Sequence, residues 1–393
     1  MDQGTALTGG WRDLASRLVQ PWTARTLRLG RRTVSAFRFW GGTGIVAALL
    51  VSVVCAWILS SSVAVILLLA AVSVATSLVL VLLRKVLTGS EVLVFLHHAL
   101  AAGGASVVTL HLLDEPLLPY LEIVVLGLGV VLAFGRLGCL SAGCCHGRPH
   151  DWGVIYTADH ARIGFSESLV GVRLFPLQLA AALCVAAITV AGYAWLILGG
   201  EAGSSLAWCV ASYCWARLGF EFLRGDPVRP YGLGFSEAQW TCILVSLGIL
   251  ASGRAGWLPV STAMQTAGIA FLAVAALSRL CRLGRPTLTA REIVRIAEAV
   301  HSKSPAGPGY PGPRVRSTDT GLCVSASLLT DGSRKFFHYA LSSRGGQPGD
   351  GLVAAFARLV MRLDGVRIGT PVVRQDGGRV VHCLIRAPER MGS

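Results

Sequence analysis

Three cysteines, a histidine and two arginines lie among glycines in FGRLGCLSAGCCHGRP, residues 134–149, between two apolar stretches. Residues of these types are found in metal or redox sites, in tight structural turns, and in pockets that hold an anionic lipid headgroup. The spacing of Cys139, Cys144, Cys145 and His146 lacks the C-x2-C pairing of most zinc sites, and no second Cys/His set lies in a nearby loop. We therefore expect a turn built from small residues and no metal.

A second polar segment, WARLGFEFLRGDP (215–227), places Arg217, Glu221 and Arg224 at positions i, i+4 and i+7, which share one helical face. The i,i+4 separation suits an Arg–Glu pair. Ionisable residues inside an apolar run are costly and by default indicate function. Arg217 and Arg136 lie in different apolar segments and can converge on one phosphate, which the planar guanidinium matches in shape.

Glycines around Arg136 permit close approach of the backbone, and their amides are candidates for an anion nest. They are Gly135, Gly138, Gly143 and Gly147. The arginines and the glycines each also have a purely structural interpretation. Arg136, Arg148 and Arg224 can be interfacial residues that reach lipid headgroups, and the glycines can serve only close helix packing.

Two further polar segments lie at the starts of apolar runs, and one of them contains two histidines. FLHHAL puts His97 and His98 near the start of one apolar segment, and FRFWG puts Arg38 and Trp40 at the start of another. Ionisable residues inside a membrane segment by default suggest function. The structural alternative is a hydrogen bond across a pair of packed helices.

The composition indicates that these residues belong to a membrane protein. Of the 393 residues, 53% are hydrophobic and only 14% are charged, whereas a soluble domain carries about 25% charged residues. Apolar runs close to the ~20 residues that cross a bilayer predict seven or eight transmembrane helices. The candidate runs are 41–59, 62–83, 92–112, 118–135, 174–198, 204–222, 237–252 and 259–278.

The net charge of +14 raises the question of nucleic acid. In a chain with several membrane spans, basic residues that flank the spans meet anionic lipid headgroups instead. We therefore expect membrane lipids as partners and no nucleic acid.

Four regions are predicted along the chain. Residues 1–40 form a basic amphipathic leader, and residues 41–281 form the membrane domain. Residues 282–317 contain a helix with a capping box and a Pro/Gly linker. Residues 318–393 form a small soluble α+β domain with two hairpins and one amphipathic helix, whose role the sequence does not reveal.

The segment GRLGCLSAGCCHGR resembles the signature G-R-x-G-N-F-x-N-G-E-x-x-G-R of the prolipoprotein diacylglyceryl transferase family. It retains the two arginines and three glycines at Arg136, Gly138, Gly143, Gly147 and Arg148. The usual Asn and Glu are replaced by Cys139 and Cys144.

Other segments resemble the family in the same order along the chain. FRFWG is similar to R-W-Y-G, FLHHAL to F-H-G-G-L with His97 on the family histidine, and RLGFEFLRGD to R-x-x-x-E-F-x-R. FPLQLAA (175–181) is similar to H-P-x-Q-L-Y-E and keeps Gln178, but Ala180 and Ala181 replace the usual Tyr and Glu. The resemblance covers roughly residues 36–255, and AQW (238–240) begins the last shared span.

This resemblance implies an all-α polytopic membrane protein of the bacterial plasma membrane. It implies transfer of diacylglycerol from phosphatidylglycerol to the lipobox cysteine of prolipoprotein signal peptides, with no cofactor. The implied catalytic residues are His97, His98, Arg136, Arg217 and Glu221. The implied substrate-binding residues are Arg38, Trp40, Gly138, Cys139, Gly143, Cys144, Gly147, Arg148, Gln178 and Arg224.

Two alternatives stay open beside this function. One is a lipid transferase of the same fold with another acceptor, and the other is a non-enzymatic membrane scaffold that binds lipid or a partner. Orientation is also open. The arginine-rich leader and Arg84–Lys85 favour a cytoplasmic amino terminus, whereas the family resemblance implies the opposite side.

Overall fold

A computed structural model describes most of the 393-residue chain. The described residues are 4–89, 95–226, 231–232, 234–283, 288–302, 304–305, 315–318, 321–331, 334–343, 348–366, 372–376 and 380–386. The helices are α1 (Gly4–Val19), α2 (Ala36–Ile58), α3 (Val63–Thr88), α4 (Phe95–Leu112), α5 (Leu117–Ala142), α6 (Ala158–Ala161), α7 (Leu177–Ile197), α8 (Ser204–Leu223), α9 (Glu237–Arg254), α10 (Thr262–Leu283), α11 (Ala290–His301) and α12 (Asp350–Leu363). The strands are β1 (Thr26–Leu29), β2 (Arg32–Ser35), β3 (Pro149–Ile155), β4 (Arg173–Leu174), β5 (Tyr231–Gly232), β6 (Phe235–Ser236), β7 (Ser304–Pro305), β8 (Arg316–Ser317), β9 (Leu322–Asp331), β10 (Arg334–Ser343), β11 (Val372–Asp376) and β12 (Val380–Arg386).

Five helices among the described residues are long and apolar enough to cross a membrane. They comprise α2, Val63–Leu87 of α3, α5, α7 and Thr262–Leu280 of α10. The predicted count of seven or eight is not confirmed, because α4, α8 and α9 are shorter or more polar; α8 carries Arg217 and Glu221, and α4 begins with His97 and His98. The chain is mostly helical with a small sheet-containing carboxy-terminal region, as expected.

Helix α5 lies between α2 and α7, and small residues make this packing close. A Cβ added to Gly44 on α2 would lie 2.7 Å from the Phe134 Cβ on α5. A Cβ added to Gly129 on α5 would lie 2.3 Å from the Thr189 Oγ1 on α7. Such contacts between small residues hold membrane helices together, and they fix the helix that carries Arg136.

The signature segment differs from its predicted form. We expected a span over 118–135 and a glycine-rich loop from Arg136 onward, but α5 continues to Ala142 and ends at Gly143, which has a left-handed φ of 78°. Gly135 and Gly138 do not break the helix, since Gly138 packs against α2; a Cβ there would lie 3.4 Å from the Phe37 carbonyl oxygen. Arg136, Gly138 and Cys139 therefore lie on the last turns of a helix.

A layer of short elements covers this end of the helices. The predicted leader contains α1, a 3-10 turn and the hairpin β1–β2, and the first apolar helix begins at Ala36, inside residues 1–40. Helix α1 packs on β3, where the Ser16 hydroxyl accepts the Gly153 amide at 3.1 Å. The described part of residues 1–40 therefore contains a helix, a 3-10 turn, a hairpin and the first turn of α2.

The carboxy-terminal region forms a sheet in the order β11-β12-β10-β9-β7, with β8 paired to β9. The predicted hairpins are present as β9–β10 and β11–β12, and the predicted helices as α11 and α12. Helix α11 packs in the core with Tyr339 and Phe356 rather than in a linker, because its apolar face is buried there. Most of the predicted linker lies outside the described residues.

One buried apolar cluster joins this sheet to the layer over the helices. It runs from Leu140 and Tyr156 to Phe356 and Val381. An ion pair at its edge links Asp151 of β3 to Arg362 of α12, with an Nε–Oδ1 distance of 2.9 Å. The carboxy-terminal region is thus packed directly onto the segment that follows the signature.

Candidate active site

Two buried charges occupy successive turns of α8. The Arg217 Nη2 lies 2.6 Å from the Glu221 Oε2, with side-chain exposures of 7% and 1%. The i,i+4 spacing puts both groups on one helical face. Helix α8 is anchored at its start, where the buried Glu122 carboxylate accepts the Ser205 amide at 2.8 Å.

Arginines from two helices meet in one small cavity, as their placement on different apolar segments predicted. Arg136 comes from α5, and Arg217 and Arg224 come from α8 and its end. The full lining is Arg136, Cys145, Leu177, Gln178, Ala181, Val185, Tyr213, Arg217, Phe220 and Arg224. The Arg136 Nε is buried in the cavity wall without a hydrogen-bond partner among the described residues.

Arg224 is held by several groups. Its guanidinium pairs with the Asp226 carboxylate through Nε and Nη2, and its Nη2 lies 3.1 Å from the Cys145 Sγ. Its Nη1 lies 3.9 Å from the Glu221 Oε2. Together with Arg136 and Arg217, these side chains comprise three guanidiniums and two carboxylates, which leaves one positive charge in excess at the cavity.

Gln178 faces the same cavity from the start of α7. Its Nε2 donates to the Cys144 carbonyl at 2.8 Å and to the Tyr156 hydroxyl oxygen at 3.1 Å. Its Oε1 is buried without a partner among the described residues. It thus presents an acceptor beside the guanidinium donors.

The segment after α5 is held by a short backbone ladder. The Gly147 amide donates to the Phe175 carbonyl at 3.2 Å, and the Arg148 amide donates to the Leu223 carbonyl at 3.2 Å. The Gly143 amide donates to the Cys139 carbonyl at 3.0 Å. The expected anion nest from these amides is therefore wrong, because the amides are used within the fold. A Cβ at Gly147 would lie 2.5 Å from the Phe175 carbonyl oxygen, so this glycine serves a close backbone approach.

Arg148 lies outside the cavity lining. Its Nε donates to the Arg224 carbonyl and its Nη1 to the Leu288 carbonyl, each at 3.2 Å. It therefore ties the end of α8 and the segment before α11 to β3.

Among the predicted site residues that do not line the cavity, four lie on α2 and α4. The His97 Nε2 lies 2.8 Å from the Glu237 Oε1 at the start of α9. His98 lines a separate apolar groove of about 860 Å³ between α2, α3 and α5. Arg38 lies on the open surface of α2, and Trp40 stacks on Trp22 with ring centroids 5.8 Å apart. The structure does not bring these residues to the arginine cavity.

The structure adds residues that the sequence analysis missed. Tyr213 lines the cavity one turn before Arg217, and its i−4 spacing was a usable signal. Asp226 follows two residues after Arg224 and lies in the segment 215–227, so its pairing with Arg224 could also have been predicted. Glu237 lies 140 positions from His97, and no local pattern indicates that pair.

The three signature cysteines converge. The Sγ atoms of Cys139, Cys144 and Cys145 all lie within 4.8 Å of one another. Their spacing along the chain had favoured small residues in a turn rather than a cluster.

Comparison with known proteins finds one matching family model and a curated relative. The family model for prolipoprotein diacylglyceryl transferase matches residues 95–252. A curated relative, phosphatidylglycerol–prolipoprotein diacylglyceryl transferase 2 of Clostridium perfringens (strain 13 / Type A), is 34% identical to this chain over 132 residues. That alignment covers 32% of this chain and 48% of the relative, so the chain matches about half of the relative's length. The resemblance is confirmed over a shorter range than 36–255, and FRFWG lies outside the matched residues.

Proposed function

We propose that this chain transfers a diacylglyceryl group from phosphatidylglycerol to a cysteine thiol of a prolipoprotein signal peptide, on the premise that residues 95–252 match the family model for prolipoprotein diacylglyceryl transferase. The observation that carries the proposal is the cavity where Arg136 of α5 and Arg217 of α8 meet. Its excess positive charge attracts one phosphodiester, and the side chains around its free space of about 10 Å³ would have to move apart to admit the phosphate. The proposed location is the bacterial plasma membrane, with seven or eight helices within it.

The arginines act as the phosphate clamp. Guanidinium donors match phosphate oxygens, and they bind most strongly to the charge that gathers on the leaving glycerol phosphate. The Arg136 Nε, which has no partner among the described residues, is one such donor. Glu221 holds Arg217 in one orientation at 2.6 Å, and Gln178 and Arg224 complete the wall.

An apolar groove next to the clamp is suited to the acyl chains. A groove of about 350 Å³ lies between α4, α5, α7 and α8, and it shares Val185 and Tyr213 with the arginine cavity. Lipid chains in this groove would place the phosphate beside the guanidiniums. The shared residues make the two spaces neighbours.

The acceptor thiol has to lose a proton, since the thiolate is the nucleophile. The family resemblance assigns this proton to His97, whose ring Glu237 orients at a position outside the arginine cavity. His98 is the second candidate base. No diffusible cofactor takes part.

A transferase with a different acceptor is the second candidate, favoured by Cys139, Cys144, Ala180 and Ala181 at the family's Asn, Glu and Tyr–Glu positions. Purified protein with phosphatidylglycerol labelled in the glycerol headgroup separates the two. We expect release of glycerol phosphate only when a lipobox peptide with a free thiol is present. Release without peptide, or with a non-thiol acceptor only, would contradict the proposed acceptor.

A further inference from the structure

The thiols of Cys139, Cys144 and Cys145 form a cluster that the clamp does not require. Cys139 lies on the last turn of α5, and the left-handed Gly143 ends the helix and brings the next two residues back toward it. Cys145 itself has a φ of +56°, which is uncommon for a residue with a side chain. Strained conformations of this kind cluster at functional sites.

The surroundings favour thiolate. The Arg224 Nη2 lies 3.1 Å from the Cys145 Sγ. The Arg136 guanidinium lines the same cavity as Cys145, and positive charge beside a sulfur favours its thiolate form. Metal ions bind cysteine in this deprotonated form.

The donor set suits a soft metal ion with an open position. In a tetrahedral site with Zn–S bonds of about 2.3 Å, the sulfurs lie about 3.8 Å apart, so a shift of about 1 Å or less closes this cluster. Among the described residues, no fourth His, Cys, Asp or Glu joins the group. His146 is turned away, with its Nδ1 2.9 Å from the Gly147 carbonyl oxygen and its ring against Phe165. Three protein ligands and one open position are the pattern of catalytic rather than structural zinc.

We propose that Cys139, Cys144 and Cys145 bind one zinc ion and that its fourth position takes the thiol of the acceptor. The role of that position rests on the proposed function, whereas the metal site does not. Cys145 lines the arginine cavity, so a thiol held there would face the clamped phosphate ester.

The step balances without an oxidant. The acceptor thiol binds the metal as thiolate, and its proton passes to solvent water. The sulfur attacks the glyceryl carbon that carries the phosphate ester, and a C–S bond forms. The C–O bond breaks, and glycerol phosphate leaves with the electron pair, stabilised by Arg136 and Arg217. The thioether then leaves the metal because it is uncharged.

Metal binding is tested on the full chain, purified in detergent under reducing conditions and titrated with Co²⁺ as a spectroscopic substitute for zinc. We expect one equivalent with an intense thiolate-to-cobalt band. Each of Cys139→Ser, Cys144→Ser and Cys145→Ser should weaken binding at least tenfold, and Cys184→Ser, which removes a thiol of α7 outside the cluster, should not. Absence of stoichiometric metal, binding that survives all three cluster variants, or a disulfide formed under reducing conditions would overturn the site.

The fourth position is tested by adding a lipobox peptide to the cobalt-loaded protein. We expect the charge-transfer band to intensify with the cysteine peptide and to stay constant with a serine peptide. An unchanged band with both would overturn the open-position role. Diacylglyceryl transfer that persists after zinc removal would also overturn that role while leaving the proposed function intact. Metal and thiol binding without any lipid transfer would contradict the proposed function instead.

Discussion

Arg217 and Glu221 form a buried ion pair on α8, with 2.6 Å between Nη2 and Oε2. Removing one partner of such a pair leaves an uncompensated buried charge, which costs about 3–5 kcal/mol, whereas replacing both by apolar residues is often neutral. Glu221→Ala should therefore lower the thermal stability in detergent more than the double variant Arg217→Met/Glu221→Leu. Equal stability of the two variants would mean that the pair is not buried as described. Both variants should lose transfer, because the orientation of Arg217 is lost in one and Arg217 itself in the other.

The pair between His97 and Glu237 gives a second prediction. Both side chains are about half exposed, so the pair adds little stability. Glu237→Gln should lower kcat about tenfold with KM unchanged, since the carboxylate partner orients the imidazole base. His97→Gln should cost more, within the 100- to 10,000-fold typical of general bases. An unchanged kcat in Glu237→Gln, or an equal further loss when Glu237→Gln is added to His97→Gln, would show that Glu237 does not act through His97.

Gly147 gives a third prediction, with Gly219 as its matched control. A Cβ at Gly147 would lie 2.5 Å from a backbone carbonyl oxygen, and a Cβ at Gly219 on α8 would meet nothing within 4 Å. Gly147→Ala should displace the ladder that places Cys145 beside Arg224, with a clear loss of melting temperature and activity. Gly219→Ala should be neutral or up to about 1 kcal/mol stabilising, because alanine favours helix. A neutral Gly147→Ala would contradict the close approach.

The contact between Asp151 and Arg362 predicts a pH dependence. The Arg362 hydrogen bond lowers the pKa of Asp151 below its usual value, which is about 3.9 in unfolded chains. A lowered carboxyl pKa contributes stability that is fully present above the unfolded pKa and is lost as the pH falls through the folded pKa. Because the pair is partly exposed, its contribution is about 1 kcal/mol or less. Arg362→Ala should therefore lower the melting temperature slightly at pH 7, and the difference should fade below about pH 4. If the difference in melting temperature between wild type and Arg362→Ala persists at that low pH, Arg362 stabilises the fold by packing and not through its ion pair with Asp151.

The sequence predicted the parts of the site that depend on local spacing. The face shared by Arg217, Glu221 and Arg224 follows from the helical period, and the capping box at Thr289 and Glu292 starts α11 as expected. The hairpins of the carboxy-terminal sheet follow from alternating apolar residues and turn signals. These features need no knowledge of distant contacts.

The features that the sequence did not predict depend on contacts between residues far apart in the chain. Gly135 and Gly138 indicated a loop, but α5 continues through both and Gly138 packs closely against Phe37 of α2. The thiols of Cys139, Cys144 and Cys145 meet because a left-handed Gly143 reverses the chain, which their spacing alone does not indicate. The pairs His97–Glu237 and Asp151–Arg362 join residues 140 and 211 positions apart.

The central claim is that Arg136 and Arg217 hold the phosphate of phosphatidylglycerol during transfer to a thiol. The direct measurement is transfer of labelled diacylglycerol to a lipobox peptide by purified protein, compared among wild type, Arg136→Ala, Arg217→Ala and the exposed α9 control Arg254→Ala. We predict transfer by wild type and Arg254→Ala, and a loss of at least 100-fold in Arg136→Ala and Arg217→Ala. Arg217→Ala should also lower the melting temperature, because Glu221 loses its buried partner. Arg136→Ala should keep the wild-type melting temperature, and Arg136→Lys should also be inactive, as expected when a bidentate fork is lost. Wild-type transfer rates in Arg136→Ala or Arg217→Ala would contradict the clamp.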